Sequence, residues 1–93
     1  MSEDKDMKAR QKVLDIFFAD GRLKQLPMKQ AKRRIVLEHI LAGFETDRRY
    51  SEKEINQQIE KSFDDYCTIR REMVELGMMH REKGIYWLDQ ATN

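Results

Sequence analysis

The chain has 93 residues with a single cysteine, and its 18 Lys and Arg nearly balance its 17 Asp and Glu, which leaves a formal net charge of +1 and a pI near 7.9. That length makes one domain, able to bury roughly 60 to 65% of the unfolded chain's surface and to hold a core without disulfides or metal. No stretch reaches the ~18 apolar residues of a membrane span or resembles a signal peptide, and the lone Cys67 has no internal disulfide partner, so the expectation is a soluble cytoplasmic protein with no membrane partner. Near-neutral charge weighs against a dedicated nucleic-acid binder, whose domain pI usually exceeds roughly 9, unless local clusters supply what the whole chain lacks.

Residues 1–7 are mostly charged and predict a flexible lead, with one domain over 8–93. From Lys8, Val13, Leu14, Phe17 and Phe18 recur at helical spacing up to Gly21, which can take the left-handed conformation that ends a helix. "RLKQL" then reads as an extended connector with room for a short strand, and Pro27 stands where a helix would begin. The second helix is expected from Met28 to Gly43. Its apolar arc of Val36, Leu37, Ile40, Leu41 and Phe44 is wide enough for a central helix touched on more than one side. Lys29, Lys32, Arg33 and Arg34 crowd its first turns; a solvated face with packed stems is the first reading, a phosphate-contacting patch the second.

The sharpest local signal is "YSEKE". Ser51 followed by Glu54 is a capping box, in which the hydroxyl accepts from the Glu54 amide and the carboxylate accepts from the Ser51 amide. Ile55 and Ile59 give the third helix a narrow apolar stripe, and Asp64 or Asp65 can cap the fourth. That helix, about Asp65 to Leu76, should bury Tyr66, Ile69, Met73 and Leu76 and stop at Gly77. Residues 78–82 and 85–88 then predict an antiparallel hairpin with Gly84 in its turn, and "RRY" at 48–50 a small strand ahead of the third helix. The order gives a mainly α fold with a small β-hairpin wing: a winged helix-turn-helix with an extra N-terminal helix.

Four motifs, "DGRLKQLP", "RYSEKEIN", "DDYCTIRR" and "YWL", make the stretch from Phe18 to Leu88 resemble a small bacterial domain of unknown function that occurs alone or joined to ArsR-type transcriptional regulators. The resemblance implies a bacterial protein associated with transcription control and brings no established activity.

The residues themselves argue against an enzyme. Cys67, His39 and His80 lack the close spacing of zinc ligands, no Gly-rich phosphate loop exists, and the adjacent Asp64 and Asp65 diverge, so no catalytic group, cofactor or metal is expected. His39 reads as a boundary residue and Cys67 as a small half-buried hydrophobe, while Met28, Met73, Met78 and Met79 read as adaptable packing. Of Tyr86 and Trp87, one ring faces inward and one outward.

Two functions remain. In the first, the last helix enters the major groove of double-stranded DNA, with Thr68 and Arg71 toward base edges and Arg48, Arg49, Lys53, Arg81 and Lys83 around it on the backbone. Glu72 and Glu75 should also face outward, and Arg70 should pair with Asp64, Asp65 or Glu54. Acids and bases cancel between Arg48 and Gly84, which subtracts from phosphate affinity. The second function is therefore a protein-interaction module, a homodimer or the dock of a transcriptional regulator, using Phe17, Phe18 or the outward aromatic of the wing.

Overall fold

Helix α1 (Ser2–Phe17) leads into two short strands, β1 (Phe18–Ala19) and β2 (Arg22–Leu23), and then into helix α2 (Gln30–Leu41). Strand β3 (Tyr50–Ser51), helices α3 (Glu52–Glu60) and α4 (Tyr66–Glu75), and strands β4 (His80–Glu82) and β5 (Ile85–Trp87) follow. The computed structural model describes residues 2–88, with side chains from residue 5 onward, so the end of the expected domain beyond Leu88 lies outside the described residues. The fold is mixed: four helices and two small antiparallel sheets, a two-stranded one of β1 and β2 and a three-stranded one in the order β3-β5-β4.

Helix α2 is the centre. Val36 and Leu37 are fully buried and Ile40 nearly so, and Ile55 and Ile59 of α3, Ile69 and Met73 of α4, and Met79 and Tyr86 from the C-terminal hairpin complete the core with them. Helices α3 and α4 begin at side-chain caps readable in the residues, whereas α2 starts after Lys29 with no side-chain cap. At α3 the capping box is closed on both sides: Glu54 N–H donates to Ser51 Oγ at 3.1 Å and Ser51 N–H to Glu54 Oε1 at 2.9 Å. Those bonds, with the Arg48 guanidinium beside them, hold the Glu54 carboxyl below its ordinary pKa. Asp65, not Asp64, caps α4 by accepting from Thr68 N–H. At the other end of α4, Met78 N–H bonds Met73 O at 2.8 Å and Gly77 N–H bonds Val74 O at 3.1 Å, a Schellman closure that needs Gly77 at its φ of +75°.

The C-terminal hairpin turns through Lys83 and Gly84, at φ 52° and 80°, between Glu82 and its partner Ile85, a two-residue turn whose twist matches the strands. The same device appears where none was expected. Asp20 and Gly21, at φ 54° and 80°, join Ala19 to its partner Arg22, so Gly21 serves a hairpin and does not stop a helix. That hairpin docks on the end of α3: Leu23 N–H donates to Ser62 O at 2.7 Å, and Arg22 donates to the carbonyls of Glu60 and Lys61 and pairs with Asp64. Arg22 thus satisfies carbonyls that the end of α3 would otherwise leave to water.

Several expectations are corrected. Helix α1 already runs at Ser2, ahead of the expected start at Lys8, because residues such as Lys5 and Met7 propagate a helix well even when exposed. Helix α2 is shorter than the expected 28–43, and Met28 is 94% exposed in the turn before it. Leu76 is 40% exposed because it is the C-cap of α4, past the last position whose direction the helix fixes. Cys67 is exposed. Phe17 and Phe18 are half-buried against the core, Phe18 edge-on to His39 at 4.9 Å, so the aromatics meant for a partner surface face the protein itself.

Ser51→Ala should cost about 1 kcal/mol in urea denaturation at neutral pH, as loss of a cap does elsewhere. Because the Glu54 pKa is lowered by folding, its contribution is whole above the unfolded carboxyl pKa of about 4.3 and is lost as pH falls through the lowered value. Glu54→Gln, which removes the titrating group and keeps an oxygen for the Ser51 amide, should therefore show a shallower loss of stability in acid than the parent, and a parallel pair of pH curves would contradict the lowering of the Glu54 pKa by folding.

Candidate nucleic-acid interface

Helix α4 buries Ile69 and Met73 against α3, which turns Cys67, Arg71 and Glu75 toward solvent. Thr68 lies beside them but is engaged: its hydroxyl donates to Asp65 Oδ2 at 2.7 Å while its amide completes the cap. Arg71 is exposed and makes no ion pair among the described residues. Arg70, expected to meet an acid, instead donates to Asn56 Oδ1 on α3, a neutral partner on the helix against which it packs.

Glu72 departs furthest from expectation. It turns back from solvent to a two-pronged pair with Arg33 of α2, Arg33 Nε donating to Oε1 at 2.6 Å and Nη2 to Oε2, while Nη1 donates to Pro27 O at 3.1 Å. Both side chains are about three-quarters buried, with relative exposures of 24% and 23%. The carboxylate holds the Arg33 pKa above its ordinary value through that hydrogen bond and, in smaller part, through its charge. Arg34 pairs with Glu38, which also receives Arg10 from α1 at 2.7 Å. The basic cluster at the start of α2 is thus half structural: Arg33 ties α2 to α4 and Arg34 pairs within α2, while Lys29 and Lys32 remain exposed.

The remaining candidate residues divide by location. Arg48 donates to Glu54 at 2.8 Å and to Glu45 at 3.3 Å and lies over the Tyr50 ring at 4.7 Å, with its pKa raised chiefly by the bond to Glu45. Arg49 lies over the Trp87 ring, its guanidinium carbon 4.5 Å from the centroid. Lys53 stands exposed in the first turn of α3, Arg81 on β4 opposite Tyr86, and Lys83 at the hairpin turn. The structure brings Arg49 and Lys83 to one open hollow with Glu82, Ile85 and Trp87, and Arg48 and Arg49 to a neighbouring one with Thr46 and Asp47. Thr68 and Arg71 line neither hollow.

Sequence reasoning missed two features here. The Arg33–Glu72 pair joins positions 39 apart, and nothing local signals it. The Arg49–Trp87 contact follows from strand register, since Tyr50 opposite Tyr86 puts the preceding Arg49 opposite the following Trp87. Among the described residues, no group of His, Cys, Asp and Glu side chains is arranged to hold a metal ion.

The pieces define a small helical domain with a compact three-stranded sheet and a lightly charged exposed helix. The chain belongs to the family described as an uncharacterized protein conserved in bacteria (DUF2087), which matches residues 22–88. No curated protein and no solved structure matches the chain. The family match takes in everything from β2 to Leu88 and leaves α1 and β1 outside it.

A double-mutant cycle on Arg33→Ala and Glu72→Ala should give a coupling of about 1 to 2 kcal/mol, above the value of an exposed pair because both side chains are largely buried and the bond is two-pronged. Chemical denaturation of the four proteins measures it. A coupling under about 0.3 kcal/mol would show that the pair is incidental to the α2–α4 packing.

Proposed function

We propose that the chain is a winged helix-turn-helix module that binds double-stranded DNA, with α4 in the major groove and the β4–β5 hairpin as the wing. The helix, helix, hairpin order and the sheet order β3-β5-β4 support that reading of the fold. The resemblance to a domain joined to ArsR-type regulators supports the link to transcription.

One observation carries the functional part: most of the acids that cancel the local charge are engaged within the protein. Glu72 is held by Arg33, Glu54 by Arg48 and the Ser51 amide, and Asp64 by Arg22; Asp65 caps α4, and Glu52 accepts from the Tyr86 hydroxyl at 2.8 Å. Arg71, Lys53, Arg81 and Lys83 make no ion pair among the described residues and are free to meet phosphate. Glu75 and Glu82 remain exposed beside them, so the positive field is modest, the affinity low and the salt slope that of a few phosphate contacts. Arg71 takes the base-reading role, because a guanidinium can bridge guanine O6 and N7, while Lys83 contacts the backbone at the wing tip. Lys53 and Arg81 are supporting phosphate contacts, whereas Arg49, first expected at the backbone, is taken up by the Trp87 ring. Arg48 already spends its hydrogen bonds on two carboxylates, and the Thr68 hydroxyl would have to leave Asp65 to reach a base.

Arg71→Ala should weaken binding to a specific site by about 1 to 3 kcal/mol and relax preference at one base position. Lys83→Ala should weaken all sequences alike and reduce the salt slope by about 1. Both side chains are exposed, so stability should change by no more than roughly 0.5 kcal/mol. Fluorescence anisotropy with genomic fragments at two salt concentrations reads both effects. Undetectable or salt-independent binding by the folded protein would end the proposal.

A further inference from the structure

The outer face of the three-stranded sheet presents two rows of side chains. Strand register sets them: Arg49, Trp87 and His80 in one, Ser51, Ile85 and Glu82 in the other, all on the side opposite the buried Tyr86. Arg49 covers the Trp87 ring at 4.5 Å, and the His80 ring stacks on it at 5.7 Å with an interplanar angle of 30°. Ile85 is 37% exposed, and Arg49, Glu82 and Lys83 are exposed around it. One hollow runs over Arg49, Trp87, Ile85, Glu82 and Lys83. Within it Arg49, just before β3, and Glu82, on β4, take diagonally opposite corners, with the two apolar residues of the central strand between them.

From this pattern we infer that the outer sheet face binds a second copy of the chain. A patch with an apolar diagonal and opposite charges at its two far corners is its own complement. A two-fold axis lying along the face exchanges the corners, so that Arg49 of each protomer meets Glu82 of its partner while Trp87 and Ile85 pack across the axis. The composition suits the role: an aromatic and an aliphatic residue at the centre with charges at the rim is the usual anatomy of a protein interface. Arg49 is also available for a carboxylate, since its guanidinium lies over the Trp87 ring and makes no ion pair among the described residues. Duplex DNA fits this face less well, because phosphates would meet Glu82 and gain nothing from Ile85. Pairing instead through the β4 edge would set Arg81 near its own copy, and the like charges oppose it. Three short strands offer less than the ~800 Å² per partner of a standard interface, so the association is weak and reversible.

The inference is independent of DNA binding: a dimer that ignores DNA leaves it intact, and a DNA-binding monomer overturns it alone. The test is sedimentation velocity on the full chain from about 1 μM to about 1 mM, the range in which an interface of this size should dissociate. The protein should pass from monomer to dimer across it. Arg49→Glu and Glu82→Arg should each weaken the dimer at least about 10-fold, like charges facing each other twice per dimer, and the double variant R49E/E82R should restore it. Circular dichroism checks that each variant is folded, and Glu82→Arg removes no side-chain hydrogen bond or ion pair among the described residues, so it stands even if Arg49→Glu unfolds. The single Trp87 supplies a second readout: iodide quenching should fall as the parent dimerises. A parent that stays monomeric throughout, a dimer indifferent to Glu82→Arg, a folded double variant that fails to recover, or a monomer whose Trp87 is shielded by duplex DNA would each overturn the inference.

Discussion

Tyr86 sits in the middle of the central strand with no exposed surface, flanked by Tyr50 on one neighbouring strand and Arg81 on the other, and its hydroxyl donates to Glu52 at the start of α3. A strand has two faces and a period of two, so this one inward residue decides the direction of the rest. A slip of one position would carry Trp87 inward, strand the Tyr86 hydroxyl and turn Arg49 away from its ring. The Gly77 closure and the tight turn at Lys83 and Gly84 leave the chain too little slack for such a slip. Every exposed residue of the hairpin, and so each surface argued for above, takes its place from that constraint.

The second organising fact is that charge is used inside the molecule before it is offered outside. A chain with almost equal numbers of acids and bases could present a neutral surface everywhere. Here Arg10, Arg22, Arg33, Arg34 and Arg48 each take an acid, and the acids that Arg22, Arg33 and Arg48 take are ones that would have lain beside α4, β3 and the loops around them. Arginine does this work throughout, as expected where a planar fork must bind a carboxylate and a carbonyl together, which Arg22 and Arg33 both do. Lysines stay at the surface. A neutral composition is therefore compatible with a locally positive helix face, and the pI alone is a poor guide to the partners of so small a domain.

Much of this was legible beforehand, and what was not failed for definite reasons. The capping box at Ser51 and Glu54, the stop at Gly77, the hairpin around Gly84 and the buried stripes of α3 and α4 rest on interactions within a few residues, and each stands in the structure. "ADGR" was ambiguous, because Asp-Gly suits both the end of a helix and a two-residue hairpin turn, and strands of two residues are too short to show alternation. Leu76 and Met28 lie just beyond helix ends, where the 3.6-residue period no longer fixes direction. The Arg33–Glu72 and Arg22–Asp64 pairs join distant positions, and Glu72 had looked like an outward acid for that reason. Of the candidate contacts, exposure of Arg71 and Lys53 could be read from helical periodicity and that of Lys83 from the turn, Arg81 is exposed because β4 is an edge strand, and the engagement of Arg48 and Thr68 could not be read locally.

The central claim is that α4 and the wing tip form the DNA-facing side, while the Trp87 face looks elsewhere. Backbone and indole NMR shifts of labelled protein, followed as duplex DNA is added, test it most directly because every residue reports separately. The account predicts that perturbations gather at Cys67 to Arg71 and at Lys83 and Gly84, with the Trp87 indole signal unmoved by DNA. Shifts confined to Trp87, Ile85 and Arg49, or none on α4 at saturating DNA, would contradict it.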